Sequence, residues 1–340
     1  MTAMTTDLCI VGGGSFGSAL AMIAAAQGHR VRMWVRREQQ ANEINQAHTN
    51  GAYLGEARLP DHLQATTDMQ LAVQGATVVL MAIPSKSFRE VARTVGEHLR
   101  GDQLLVHATK GIEAATFARM SQILREETCA LKIGVLSGPN LAAELMQGHP
   151  SGSVIASPYD EVVHGVQALF SHSHLRVYGG RDVMGVEVGG AFKNIIAIAA
   201  GVADGLGFGD NARSLVITRG LSEMAWLGTH LGADVFTFGG LAGIGDLVAT
   251  CNSKLSRNHR VGERLALGKD LDTILRELKF TAEGVPTTDA VHRRAAAAGL
   301  HLPICQAVYS VLFDGKNATG AFGELMRLPV GDELSTLRYR

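Results

Sequence analysis

The chain has 340 residues, 46% of them hydrophobic, and a formal net charge of −1. That length suits about two domains with sizeable cores. The near-neutral charge argues against a nucleic-acid partner, which a basic face would mark.

The first apolar run, Leu8-Cys9-Ile10-Val11, flows into Gly12-Gly13-Gly14-Ser15-Phe16-Gly17. This is G-x-G-x-x-G between a buried strand and a helix, the context a dinucleotide-binding turn requires. Gly12 permits the tight turn, Gly14 lets backbone approach a pyrophosphate, and Gly17 lets the helix pack on the strand. The helix predicted from Ser15 to about Gln27 points its N-terminal N–H groups at that phosphate.

Strands are then predicted at Arg30–Val35, Thr77–Ile83 (ended by Pro84), Leu104–Ala108 and Ile133–Leu136, with shorter ones at Ser153–Ala156 and Leu175–Tyr178. Helices are predicted at Lys86–Leu99 and Phe117–Glu127. Such alternation implies a doubly wound parallel sheet, whose ligands bind beyond the carboxyl ends of the strands. After about Gly185, helical periodicity takes over: Val186–Val202, Ala212–Leu231, Asn258–Leu267, Asp270–Leu278, Pro286–Ala298 and Pro303–Asp314. The expected organisation is therefore α/β over residues 1–184 and all-α over 185–335, the second domain roofing the cleft.

Val183–Ala203 has the length of a membrane span, but Glu187 and Lys193 make a buried helix the better reading. Met1–Asp7 lacks the basic region of a signal peptide. Cys9, Cys129, Cys251 and Cys305 form no C-x-x-C pair and read as buried, reduced thiols of a cytoplasmic protein. His172-Ser173-His174 has no third ligand at helical spacing, so no metal is expected.

Several residues are candidates for chemistry. Strand two ends in Arg36-Arg37 where an acid would bind the ribose of NAD. A guanidinium there suits a 2′-phosphate and favours NADPH over NADH; the alternative is two solvated arginines. Lys110 closes a strand and faces the ligand crevice, unless it is a surface lysine. Gly138-Pro139-Asn140 leads into a short helix whose N–H groups suit an anion, or is a plain loop. Lys193 sits in a nearly uncharged helix where desolvation would lower its pKa into the useful range, unless it snorkels. Asp246, in a glycine-rich apolar stretch, needs a partner, and Lys193 is the natural one; an N-cap role is compatible. Ser256 can cap the helix that follows it, with Arg257 and Asn258 adding donors for a second phosphate.

Taken in order, the glycine motif, Ala82-Ile83-Pro84-Ser85, Thr109-Lys110-Gly111, Gly138-Pro139, Phe192-Lys193-Asn194, Gly243-Ile244-Gly245-Asp246-Leu247 and Ser256-Arg257-Asn258 resemble the NAD(P)-dependent glycerol-3-phosphate dehydrogenases of the soluble bacterial type. Ala282-Glu283-Gly284 and Gly315-Lys316-Asn317-Ala318 extend the resemblance over almost the whole chain. It implies an N-terminal Rossmann-type sheet and an all-α C-terminal domain. It also implies reversible conversion of dihydroxyacetone phosphate to sn-glycerol 3-phosphate, supplying phospholipid synthesis.

By this resemblance Lys193 is the proton donor and acceptor. Lys110, Gly138, Asn140, Asp246, Ser256, Arg257 and Asn258 contact substrate, while Ser15, Phe16, Arg36, Lys110, Ala142, Arg257, Thr281 and Glu283 contact the cofactor. Asn140 and Leu141 depart from the family's usual Ser or Thr and aromatic, so altered substrate affinity is expected. The expected partner is the small-molecule substrate, with a homodimer compatible. A 3-hydroxyacid or 6-phosphogluconate-type dehydrogenase and a catalytically silent NADPH sensor are the competing readings.

Overall fold

A computed structural model of the protein describes residues 6–171, 174–278 and 281–331, so His172 and Ser173 and the end of the expected second domain lie outside the described residues. The chain groups into two compact units, Met1–Thr109 with Met120–Val183, and Lys110–Arg119 with Met184–Arg340.

The first unit is built on eight strands: β1 (Asp7–Val11), β2 (Arg30–Trp34), β3 (Gln64–Thr66), β4 (Val78–Met81), β5 (Leu104–His107), β6 (Ile133–Ser137), β7 (Ser151–Ala156) and β8 (Leu175–Gly180). They form one sheet in the order β3-β2-β1-β4-β5-β6-β7-β8. β1 pairs in parallel with both β2 and β4, with Leu8 opposite Val31 and Val78. The strand order reverses there, and β1 delivers its glycine turn to that switch point.

The helices of this unit are α1 (Ser15–Ala26), α2 (Glu38–Asn42), α3 (Gly51–Leu54), α4 (Met69–Val73), α5 (Phe88–Gly96), α6 (Met120–Glu127), α7 (Ala142–Met146) and α8 (Asp160–Phe170). Apolar runs in β1 and β4 are buried along their length, as strands covered on both faces are.

The sheet is not wholly parallel, as expected from the alternation, because β7 runs antiparallel to β6. The connection between them holds only the five-residue α7, so the chain re-enters the sheet near the end where β6 finished. The helix expected from Phe117 begins at Met120, because Phe117 adopts φ 61°, a left-handed conformation outside the helical region. The short elements between residues 38 and 76 and helix α8 had no strong enough period to be assigned.

The second unit contains α9 (Val183–Gly205), α10 (Asp210–His230), α11 (Val235–Phe238), α12 (Asp246–Asn252), α13 (Arg257–Ala266), α14 (Leu271–Leu278), α15 (Gly284–Ala298), α16 (Pro303–Phe313) and α17 (Ala318–Leu325). Helix α9 is buried on all sides from Gly185 to Ala203, as its all-round apolarity requires. It is long and apolar enough to cross a membrane, yet 89% of its most apolar window is buried inside the protein.

A Cβ on Gly262 would stand 1.9 Å from the Ile198 carbonyl oxygen, so α13 and α9 meet backbone to backbone. The segment 110–119 joins this unit through Ile112 in its core, an Arg119–Glu187 ion pair and an Arg293 donation to the Ala114 carbonyl (2.7 Å). A single division at residue 184 therefore does not describe the segment 110–119.

Candidate active site

In the first unit the glycine turn has the form a dinucleotide needs. Gly12 holds φ 124°, and a Cβ there would lie 2.4 Å from the Ala82 carbonyl oxygen. A Cβ on Gly17 would lie 2.1 Å from the Gly12 oxygen, so only glycine lets α1 sit this close to the turn. At Gly14 the space is open, and Gly14 forms the N-cap of α1 without a side-chain hydrogen bond. An uncapped helix start beside open space suits a pyrophosphate.

Ser15 is exposed and donates to the Tyr53 carbonyl (3.1 Å), with Phe16 half-buried beside it. Arg36 and Arg37 are exposed just past the carboxyl end of β2 and form no ion pair among the described residues. Guanidinium groups left uncompensated can take a 2′-phosphate.

Gly138, Asn140 and Ala142 follow β6 in the same unit. Gly138 has φ 138°, with Gly152 backbone 2.8 Å from where its Cβ would be. Asn140 is buried and donates from its amide nitrogen to Ser153 Oγ (2.9 Å). The Asn140 side chain thus makes a contact inside the unit.

The second unit holds a cluster of charges. Asp246, 2% exposed, accepts from Lys193 Nζ on one oxygen (2.5 Å) and from Lys110 Nζ on the other (2.8 Å). Lys193 also donates to Thr250 Oγ1 (2.7 Å), whose hydroxyl donates to the Asp246 carbonyl (2.6 Å). Two of the three ammonium protons of Lys193 are thus committed, leaving one for a reacting oxygen.

Burial lowers the Lys193 pKa to about 8, against the opposing pull of Asp246 and with help from the Lys110 charge. Burial works to raise the Asp246 carboxyl, but the charges and hydrogen bonds of Lys110 and Lys193 outweigh it and hold it below the usual range. Lys193 is not a snorkelling lysine, since its side chain is only 6% exposed. Asp246 opens α12 directly after a π-helical turn, Leu241–Gly245, in which Gly243 departs from helical geometry. That turn delivers the carboxylate to the lysines.

Ser256 caps α13, its hydroxyl accepting the His259 N–H (3.3 Å). Arg257 is exposed at the first turn and donates to the Thr281 carbonyl (3.0 Å), near Glu283 in sequence. The Asn258 side chain turns inward, accepting the Gly284 N–H (3.0 Å) and donating to Asn194 Oδ1 (2.8 Å). That leaves one hydrogen of its amide nitrogen, and its backbone N–H at the helix start, for an anion. Among the described residues no cluster of three His, Cys, Asp or Glu side chains is placed to hold a metal.

Sequence reasoning missed Thr250, Asn194, Gln40 and Asn50. Thr250 lies four residues after Asp246, one helical turn on, a signal that recognising α12 would have exposed.

A glycine cradle at the switch point of a doubly wound sheet, with a depressed buried lysine in a helical unit, defines the class of nucleotide-dependent oxidoreductases. Residues 7–163 and 182–322 match the N-terminal and C-terminal family models of NAD-dependent glycerol-3-phosphate dehydrogenase. The chain is 44% identical over 334 residues to glycerol-3-phosphate dehydrogenase [NAD(P)+] of Geobacillus thermodenitrificans, covering 97% of each. It is 47% identical over 306 residues to the like-named protein of Acinetobacter baylyi, covering 90% of this chain and 85% of the other. The crystal structure of glycerol-3-phosphate dehydrogenase from Coxiella burnetii superposes with a TM-score of 0.91 at 33% identity, covering 95% of this chain and 99% of that one. The chain belongs to the NAD-dependent glycerol-3-phosphate dehydrogenase family and is an NAD(P)-dependent oxidoreductase.

Proposed function

We propose that the enzyme interconverts dihydroxyacetone phosphate and sn-glycerol 3-phosphate, with NADPH preferred over NADH. The observation that carries this reading is the buried Lys110–Asp246–Lys193 cluster, which offers a proton at a desolvated nitrogen. A reduced nicotinamide, when bound, would supply the hydride. Lys193 gives its uncommitted proton to the ketone oxygen as negative charge grows there, and recovers one from solvent. Asp246 and Thr250 aim the ammonium, and Lys110 adds positive charge beside the same oxygen. Arg257 and the Asn258 N–H at the start of α13 hold the phosphate. Gly12, Gly14, Gly17, Ser15 and Arg36 would hold the nucleotide, aided by Arg37, Phe16 and Ala142; the family resemblance alone adds Thr281 and Glu283 as cofactor contacts.

The reading extends to a cytoplasmic homodimer that supplies phospholipid synthesis. Loss of reduced-nicotinamide absorbance with dihydroxyacetone phosphate, run beside a 3-oxo acid, tests the substrate. Consumption with the oxo acid alone would defeat the assignment.

Two expectations follow from the charges. Reduction needs the Lys193 ammonium, so its rate falls as pH rises through about 8; oxidation needs the free amine and rises through about 8. Rate–pH profiles in both directions check this, and limbs of the same sign would refute it. Arg36→Ala should raise KM for NADPH by about tenfold and leave KM for NADH nearly unchanged, as loss of one charge-assisted hydrogen bond predicts. Equal rises for both cofactors would remove the 2′-phosphate role.

A further inference from the structure

Within the first unit, a buried amide network that none of the roles above uses grips the glycine turn from behind. The Gly13 carbonyl oxygen accepts from Gln40 Nε2 (2.7 Å) and from Asn50 Nδ2 (3.1 Å). Asn50 Nδ2 also donates to Ser18 Oγ (2.8 Å), and Asn50 Oδ1 accepts from Gln40 Nε2 (3.1 Å). Because Gly13 offers only an acceptor, both amides must present their NH₂ groups to it, which fixes their orientation. Asn50 is fully buried and Gln40 nearly so. Asn50 stands at the N-cap of α3, a place where asparagine commonly accepts a backbone N–H, yet its side chain caps nothing. Gly13 is itself required here, since a Cβ would lie 2.7 Å from Gln40 Nε2 and 2.5 Å from Val35 Cγ1.

The consequence lies in the next atom of the chain. In a trans peptide the N–H points opposite to the C=O. Pulling the Gly13 oxygen inward therefore turns the Gly14 N–H away from the network, at a residue where an added Cβ would meet nothing within 4 Å. The Gly14 N–H has no partner among the described residues. We propose that Gln40 and Asn50 are positioning residues that aim the Gly14 N–H at the cofactor's pyrophosphate, an inference that rests on the nicotinamide-dinucleotide reading. Gln40 lies in α2, directly after Arg36-Arg37, so one short segment serves both the 2′-phosphate and the pyrophosphate.

Equilibrium titration with two probes separates these contributions. ADP-ribose carries the pyrophosphate; adenosine 2′-monophosphate carries the adenosine and 2′-phosphate without it. Gln40→Met and Asn50→Asp, checked for folding by circular dichroism, should each weaken ADP-ribose binding by about tenfold, the loss of one hydrogen bond to a charged group. Adenosine 2′-monophosphate should bind each variant within about twofold of the parent, since its contacts are untouched. Unchanged ADP-ribose affinity would overturn the proposal, and so would equal losses for both probes, which would mark a general structural role. Failure of the parent protein to bind either probe would remove the dinucleotide reading itself. In the unaltered protein, the Gly14 amide resonance should move on adding ADP-ribose and stay in place with adenosine 2′-monophosphate. A resonance indifferent to ADP-ribose overturns the proposal however the variants fold.

Discussion

Lys193→Ala lowers kcat for dihydroxyacetone phosphate reduction by about 10²–10⁴-fold, the usual contribution of a positioned general acid, while NADPH binding is retained. The expectation rests on two features of the second unit. Lys193 is buried with two donors committed to Asp246 and Thr250, so its remaining proton has a defined direction. Its pKa of about 8 leaves it mostly protonated at neutral pH while still able to release that proton. The nucleotide-binding turn belongs to the other unit and does not depend on Lys193. Steady-state kcat and NADPH fluorescence titration, measured on the same preparation, distinguish lost chemistry from lost binding. Turnover close to that of the parent enzyme would exclude Lys193 as the acid.

Asp246→Asn should affect both stability and rate. The carboxylate gives one oxygen to each lysine. An asparagine can accept from only one of them and must turn its NH₂ toward the other, donor against donor. Breaking a buried pair in this way costs about 3–5 kcal/mol, partly relieved if Lys193 sheds its proton. Removing the negative charge that raises the Lys193 pKa moves that pKa below about 8. The alkaline limb of reduction therefore shifts to lower pH, and kcat at neutral pH falls by at least about tenfold as the protonated fraction drops. Thermal unfolding and the rate–pH profile check the two parts together. A folded variant whose limb stays at the parent's pH would show that Asp246 does not govern the lysine.

Much of the architecture was legible because it follows local rules. A buried β-branched run must be covered on both faces, and a helix apolar all round must be a core helix; Thr77–Ile83 and α9 illustrate each. The glycine motif could be read because steric demands at Gly12 and Gly17 admit no other residue. Shorter elements such as α11 and α12 escaped because glycine-rich stretches carry little periodicity, and Thr250 was lost with them.

The sequence by itself determined the nucleotide turn, the order of seven of the eight strands and of the longer helices other than α8, and Lys193 as a cation placed in an apolar helix. Tertiary structure alone decided which polar groups meet. Lys110 and Asp246 are 136 residues apart, Lys193 and Asp246 are 53 apart, and Asn50 reaches Gly13 across 37. The inward turn of Asn258, the direction of β7 and the membership of residues 110–119 in the helical unit were decided in the same way. Periodicity records which face of an element is buried. It does not record which partner a buried donor or carboxylate finds there, because that depends on how distant segments pack and on the cost of leaving any of them unpaired.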